Sequence, residues 1–252
     1  MALQFLTILP SPLRRQVDGR DLASSVAYFP LVGALLGIAF AGLDALLGLV
    51  FPAPVQSALV VVGLILLTGG MHMDGLMDTC DGIFHQSSAA RRLEIMRDSR
   101  VGAFGVIGAV CVVLLKYAAL VALPVPFRLG SLVLMATASR AAMAYCLIAF
   151  PYARTEPGLG TLFRGRAGSK DLALGALFTI AVSYLFFAHW GIAMVAVGAP
   201  IVWGAAKYIS SRILGLTGDT YGAIGEVTEA ATLLLALIFL RFGLLYSLAG
   251  SA

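Results

Sequence analysis

Charge is scarce in this sequence. Only 12% of its 252 residues are Asp, Glu, Lys or Arg, about half the roughly 25% of an ordinary soluble domain. With 60% apolar residues, a soluble fold of this length could not cover its core. Cysteine is also scarce. Cys80, Cys111 and Cys146 are an odd number without CxxC spacing, which excludes a secreted disulfide scaffold. The opening MALQFLTILPSP has no positive region before its apolar run and no small-residue cleavage site. It reads as a short interfacial segment, not a signal peptide. Disorder, coiled coil and collagen are excluded by the same composition.

What remains is a polytopic membrane protein with a mean hydropathy of +0.95. Lipid cannot satisfy free backbone N–H and C=O groups, so spans are helices or a closed barrel. The apolar runs are continuous and about 20 residues long, which makes them helices. The expected architecture is an all-α bundle of seven spans: 28–50, 54–72, 101–123, 128–150, 171–189, 191–209 and 225–247. The connections near 51–54, 124–127 and 188–191 carry no Lys or Arg. Thirteen of the 17 basic residues fall on the other side, among them Arg14, Arg15, Arg20, Arg91, Arg92, Arg97 and Arg100. The positive-inside rule makes that side cytoplasmic, with the N-terminus inside and the C-terminus outside. The acids sort the same way, and only Asp44 stands apart. The chain reads as one integral domain over 1–252 in a bacterial inner membrane. Its polar face comes from 69–105 and 212–229, and 151–170 suits a lid over an anionic substrate, or a plain basic loop.

The densest motif is GGMHMDGLMDTCDG at 69–82. Asp74, Asp78 and Asp81 stand at i, i+4 and i+7, so a helix would place three carboxylates on one stripe. Their repulsion is relieved by a divalent cation, and oxygen-only ligands favour Mg²⁺ or Mn²⁺ over zinc. Gly75 and Gly82 leave room for a phosphate between them. The plainer alternative for each acid is a solvated helix end. His72 fits a general base, a phosphate donor or an interfacial residue.

A second cluster, MRDSRVGAFG at 96–105, offers Arg97 and Arg100 to phosphate oxygens and Asp98 to a metal shell. A helix starting near Gly102 would favour an anion at its N-terminus. The alternative is simple positive-inside anchoring. A third, TGDTYGAIGEVTE at 217–229, places Asp219, Glu226 and Glu229 at the start of the last span. Burial there is costly unless they face a polar cavity, although one first-turn glutamate could serve the helix dipole alone. Arg140, near the middle of the fourth span, is expected to point inward to a carboxylate or toward substrate. Lys116 and Arg241 can snorkel, and Asp44 could pair with one of them.

These carboxylates and arginines at one face suit phosphoryl or nucleotidyl transfer. A cation or corrinoid transporter is the rival class, but transporters place acids near the midplane on broken helices. The same motifs, with QFLTILP near the start and YFPLVGALLG near residue 28, resemble the cobalamin synthase (adenosylcobinamide-GDP ribazoletransferase) family from end to end.

That resemblance implies a Mg²⁺-dependent membrane transferase acting on adenosylcobinamide-GDP and α-ribazole, or its 5′-phosphate, with GMP as leaving product. It implies Asp74, Asp78 and Asp81 near the metal, with Asp98, Asp219, Glu226 or Glu229 contributing. His72 or a carboxylate would be the base, and Arg97, Arg100 and Arg140 would be the phosphate contacts. The partners expected are these substrates and the lipid bilayer. No nucleic acid is expected, and a homo-oligomer stays open. Residues 78–82, DTCDG, also resemble the opening of the CDP-alcohol phosphotransferase motif. His85-Gln86 stands where that motif requires Ala-Arg, and Gly102 where it requires a second Asp, so a lipid phosphotransferase is the second reading.

Overall fold

The computed structural model describes residues 2–8, 25–154 and 167–245. The expected lid therefore lies mostly outside the described residues, as do Arg14, Arg15, Arg20, Arg164 and Arg166. Among the described residues the fold is helical and without strands, with one isolated bridge between Tyr152 and Leu216. In chain order the helices are α1 (Ala2–Leu6), α2 (Phe29–Gly48), α3 (Ala53–Leu67), α4 (Met71–Phe84) and α5 (Ala89–Ile95). They continue with α6 (Ala103–Ala122), α7 (Val125–Ala149), α8 (Ser169–Ile213) and α9 (Gly218–Arg241). Proline opens several of them, at Pro30, Pro54 and Pro126, where its missing N–H costs nothing.

Five helical segments are long and apolar enough to cross a membrane, and six if α3 and α4 count as one bent pair. The expected span 54–72 ends early, at Leu67, for a backbone reason. Gly69 and Gly70 both take positive φ, 63° and 72°, a region open to glycine and strained for other residues. They turn α4 away from α3 by 87°. If α3 crosses the bilayer, α4 runs along its face, outside the membrane-crossing segments.

The 45 residues of α8 are not one rod. Ala188 leaves the helical region at φ 46°, ψ −139°. A β-carbon on Gly191 would fall on the Ser183 carbonyl oxygen. In a straight helix residues eight apart are separated by about 12 Å, so the chain doubles back into two antiparallel halves, 169–187 and 189–213. The reversal lies next to the expected break at 189–191.

The last span is displaced relative to expectation. Thr217 starts α9, exchanging hydrogen bonds with Thr220, and Gly243 ends its last turn with φ 73°. Glu226 and Glu229 thus lie two to three turns inside the helix, not at its first turn.

Helix α7 is the centre of the bundle, its inner face buried against α2, α8 and α9. Gly33 and Gly37 of α2 let the two backbones touch: a β-carbon on Gly37 would come within 2.5 Å of Val133 Cα. Small residues at i and i+4 commonly permit such approach between membrane helices.

Candidate active site

The site begins with two glycines. A β-carbon on Gly75 would lie 2.5 Å from the Asp219 carbonyl oxygen, and one on Gly222 would lie 3.0 Å from His72 Cα. Each glycine admits the backbone of the other helix, so α4 crosses the first turns of α9 in direct contact. The helical stripe of α4 is thereby brought beside Asp219, which the sequence separates from it by about 140 residues.

Asp78 shows the electrostatic result. It is half-buried. Burial, followed by the charges of Asp74, Asp219 and Asp81, pushes its carboxyl up to about 7, against the pull of Arg154. Asp74 stands exposed on the same stripe. Asp219 is half-buried and accepts hydrogen bonds from Arg154 Nη2 at 2.8 Å and Thr217 Oγ1 at 3.2 Å. Arg154 was not among the residues singled out for the site. It stands within the loop read as a lid, and only the fold places it on Asp219.

Asp81 has a different geometry. Its two oxygens accept the backbone N–H groups of Gly102 and Gly105, both at 2.8 Å. It therefore occupies the N-terminus of α6, where the orphan donors and helix dipole favour an anion. The anion expected at this helix start is supplied by the protein itself. Gly105 and Gly108 fit close against Met77 and Cys80 of α4, which locks α4 to α6.

Asp98 and Arg100 pair with one another in the exposed turn before α6, at 2.7 Å, and this holds the Asp98 carboxyl down to about 2. Arg97 is exposed beside them. Arg92, counted from sequence among the basic residues of the cytoplasmic side, is buried and donates to the carbonyls of His85 and Arg212.

The remaining charges form a separate group in the bundle interior. Lys116 is buried and donates to Glu226 at 2.7 Å and to Glu229, and Arg140 donates to the other oxygen of Glu229. Snorkelling is thus wrong for Lys116: it points into the bundle because two carboxylates await it. Arg140 does point inward to a carboxylate, as expected. Asp44 pairs with Arg128, not with Lys116 or Arg241, because α2 and α7 meet there. His72 is buried, its Nε2 without a hydrogen-bond partner, and the charges acting on it are Arg140, Glu229 and Lys116. It stands between the carboxylate face and this interior group.

Among the described residues no three His, Cys, Asp or Glu side chains converge as a closed metal-ligand set. The donors at the crossing nevertheless fit a hard cation. They are oxygens only, their mutual repulsion at Asp78 is only partly offset by Arg154, and Mg²⁺ commonly takes one or two carboxylates together with water and substrate phosphates.

A family profile described as cobalamin-5-phosphate synthase matches residues 1–237. The chain belongs to this family. Within the cobalamin-5-phosphate synthase family, the adenosylcobinamide-GDP ribazoletransferase of Desulforamulus reducens is 42% identical over 238 residues, 94% of this chain and 95% of that protein. The protein of the same name from Geotalea daltonii is 39% identical, covering 93% and 94%. That from Thermoanaerobacter pseudethanolicus is 34% identical over the same shares. No solved structure matches. The resemblance drawn from residues 69–82, 96–105 and 217–229 is therefore correct at family level, and the three segments meet at the α4–α9–α6 junction.

Proposed function

We propose that this protein is an adenosylcobinamide-GDP ribazoletransferase, joining adenosylcobinamide-GDP to α-ribazole, or its 5′-phosphate. The products are adenosylcobalamin, or its 5′-phosphate, and GMP. The observation that carries this reading is the carboxylate cluster at the α4–α9 crossing, in a chain matched nearly end to end by relatives of that name.

The reaction forms one bond and breaks one. The ribose 3′-hydroxyl oxygen of α-ribazole attacks the phosphorus nearer the cobinamide, and the bridging oxygen leaves with GMP. Asp74 and Asp219 are the carboxylates that would hold Mg²⁺. When bound, the ion neutralises charge developing on the phosphate oxygens. Asp78, half-buried beside Asp74 and Asp219, is the carboxylate placed to take the hydroxyl proton. Arg154 orients Asp219, and Arg97 and Arg100 meet the phosphates. Asp81, Glu226 and Glu229 position helices: the first holds α6 on α4, the other two hold α9 on α6 and α7.

The same reading places this face in the cytoplasm and the helices in the inner membrane. Counting α3 and both halves of α8 gives seven crossings. The test is to incubate purified protein with adenosylcobinamide-GDP, α-ribazole and Mg²⁺ and identify products. GMP and a cobalamin should appear in equal amounts, only with Mg²⁺, and Asp78→Asn should slow this at least about 100-fold. Product formation from a CDP-alcohol in place of adenosylcobinamide-GDP would favour the lipid phosphotransferase reading instead.

A further inference from the structure

A cavity of about 700 Å³ lies between α7, α9 and the two halves of α8. It is separate from the carboxylate crossing. Asp219 contacts α4 on one side of α9, whereas the α9 residues on the cavity, Thr228, Thr232 and Leu235, follow one another on another face. Along α7 it reaches from Leu134 to Tyr145, about 16 Å at helical rise, so it runs lengthwise between membrane-crossing helices.

Its chemistry is restrictive. Most lining side chains are aliphatic or small, and the three threonines on its wall have already placed their hydroxyl protons. Thr179 donates to the Gly175 carbonyl, Thr228 to Ile224 and Thr232 to Thr228. Asp171, at one end, accepts the Gly168 N–H. A nucleoside or a corrinoid with its rim of amides would leave polar groups unpaired there, at a cost of roughly 1–3 kcal/mol each. A hydrocarbon chain has nothing to leave unpaired.

The end that holds Asp171, Tyr145 and Trp203 also carries positive charge. Lys207 Nζ lies 4.6 Å over the ring of Trp203, which lines the cavity, and Lys170 directly precedes Asp171. Both lysines are exposed. Tryptophan and tyrosine are enriched at membrane interfaces, and anionic lipid headgroups attract nearby cations.

We infer that this cavity is a binding site for one anionic phospholipid of the surrounding bilayer, its acyl chain between α7, α8 and α9 and its phosphate at Lys207. The lipid would fill the space left where the doubled-back α8 stands off from α7 and α9. It would thereby brace α7 and α9, the helices that carry Arg140 and Glu229.

The test reads lipid, not catalysis, so it stands or falls independently of the transferase assignment. Protein extracted in mild detergent is analysed by native mass spectrometry for retained phospholipid. About one per chain, mainly phosphatidylglycerol, is expected, and a wild-type chain carrying none overturns the site. Gly198→Leu fills the cavity: a β-carbon there meets only Leu235 Cδ1, at 3.6 Å, so the added methylenes project into free space. Displacing two chain methylenes should weaken retention about tenfold, and unchanged retention in this variant overturns the proposal. Lys207→Glu changes an exposed side chain and puts nothing into the cavity, so it tests the site whether or not Gly198→Leu folds. It should shift the retained lipid from phosphatidylglycerol to phosphatidylethanolamine, and an unchanged anionic preference likewise overturns it.

Discussion

Asp78 is held in a place where its charge is unwelcome, and that has a sign in stability as well as activity. Its folded value, about 7, lies above the ordinary 3.8. The folded state therefore binds the proton more tightly than the unfolded chain, and the metal-free protein loses stability as pH rises from about 4 to about 7. The full penalty is present above 7. Asp78→Asn removes it, so in chelator the variant should melt a few degrees above wild type at pH 8 and equal it near pH 4. A thermal-shift series against pH reads this directly, and a variant less stable than wild type at pH 8 refutes the repulsion.

Lys116 makes the opposite case, a buried charge that is fully used. Lys116→Met leaves Glu226 and half of Glu229 unpaired in the bundle, a loss of about 3–5 kcal/mol. Adding Glu226→Gln should recover part of it, measurable as the fraction of monodisperse protein surviving heating. The α4 carboxylate stripe was legible from i, i+4, i+7 spacing alone. The partners of Lys116 were not, because its glutamates are more than 100 residues away and position within a hydrophobic run does not reveal which way a side chain faces.

Among the helices, the decisive device is the glycine at a crossing. At Gly75 any side chain would meet the Asp219 carbonyl, which is backbone and cannot swing aside. Gly75→Val should force α4 off α9 at a cost of about 1–3 kcal/mol. Activity should suffer more than folding does, since the reacting groups straddle that contact. The outcome to look for is folded protein that melts several degrees lower with GMP release down by more than about tenfold; retained activity would show that the crossing does not build the site. The reason for Gly75 was partly visible in sequence as space between acids. What occupies that space proved to be the α9 backbone, not a phosphate. Element boundaries were displaced wherever glycine backbone intervened, at Gly69-Gly70 and Gly243, since hydropathy records composition and does not sense φ.

For the whole molecule, the parity of crossings has the clearest consequence. Seven crossings put the two termini on opposite sides, and six would put them together. Alkaline phosphatase fused after residue 252 should be active in cells and a green fluorescent protein there dark, with the reverse at the N-terminus. Equal behaviour at both ends would refute seven crossings. Composition, apolar run length and the sorting of charges determined by themselves that this is a helical membrane protein with its acids gathered on one face of the sequence's hydropathy pattern, because water and lipid act on every residue through its local polarity. The tertiary structure alone decided which acids of that face meet, which are spent on helix ends or buried cations, and where α8 turns back. Those outcomes depend on backbone contact between segments far apart in the chain, and a linear pattern carries no record of such distances.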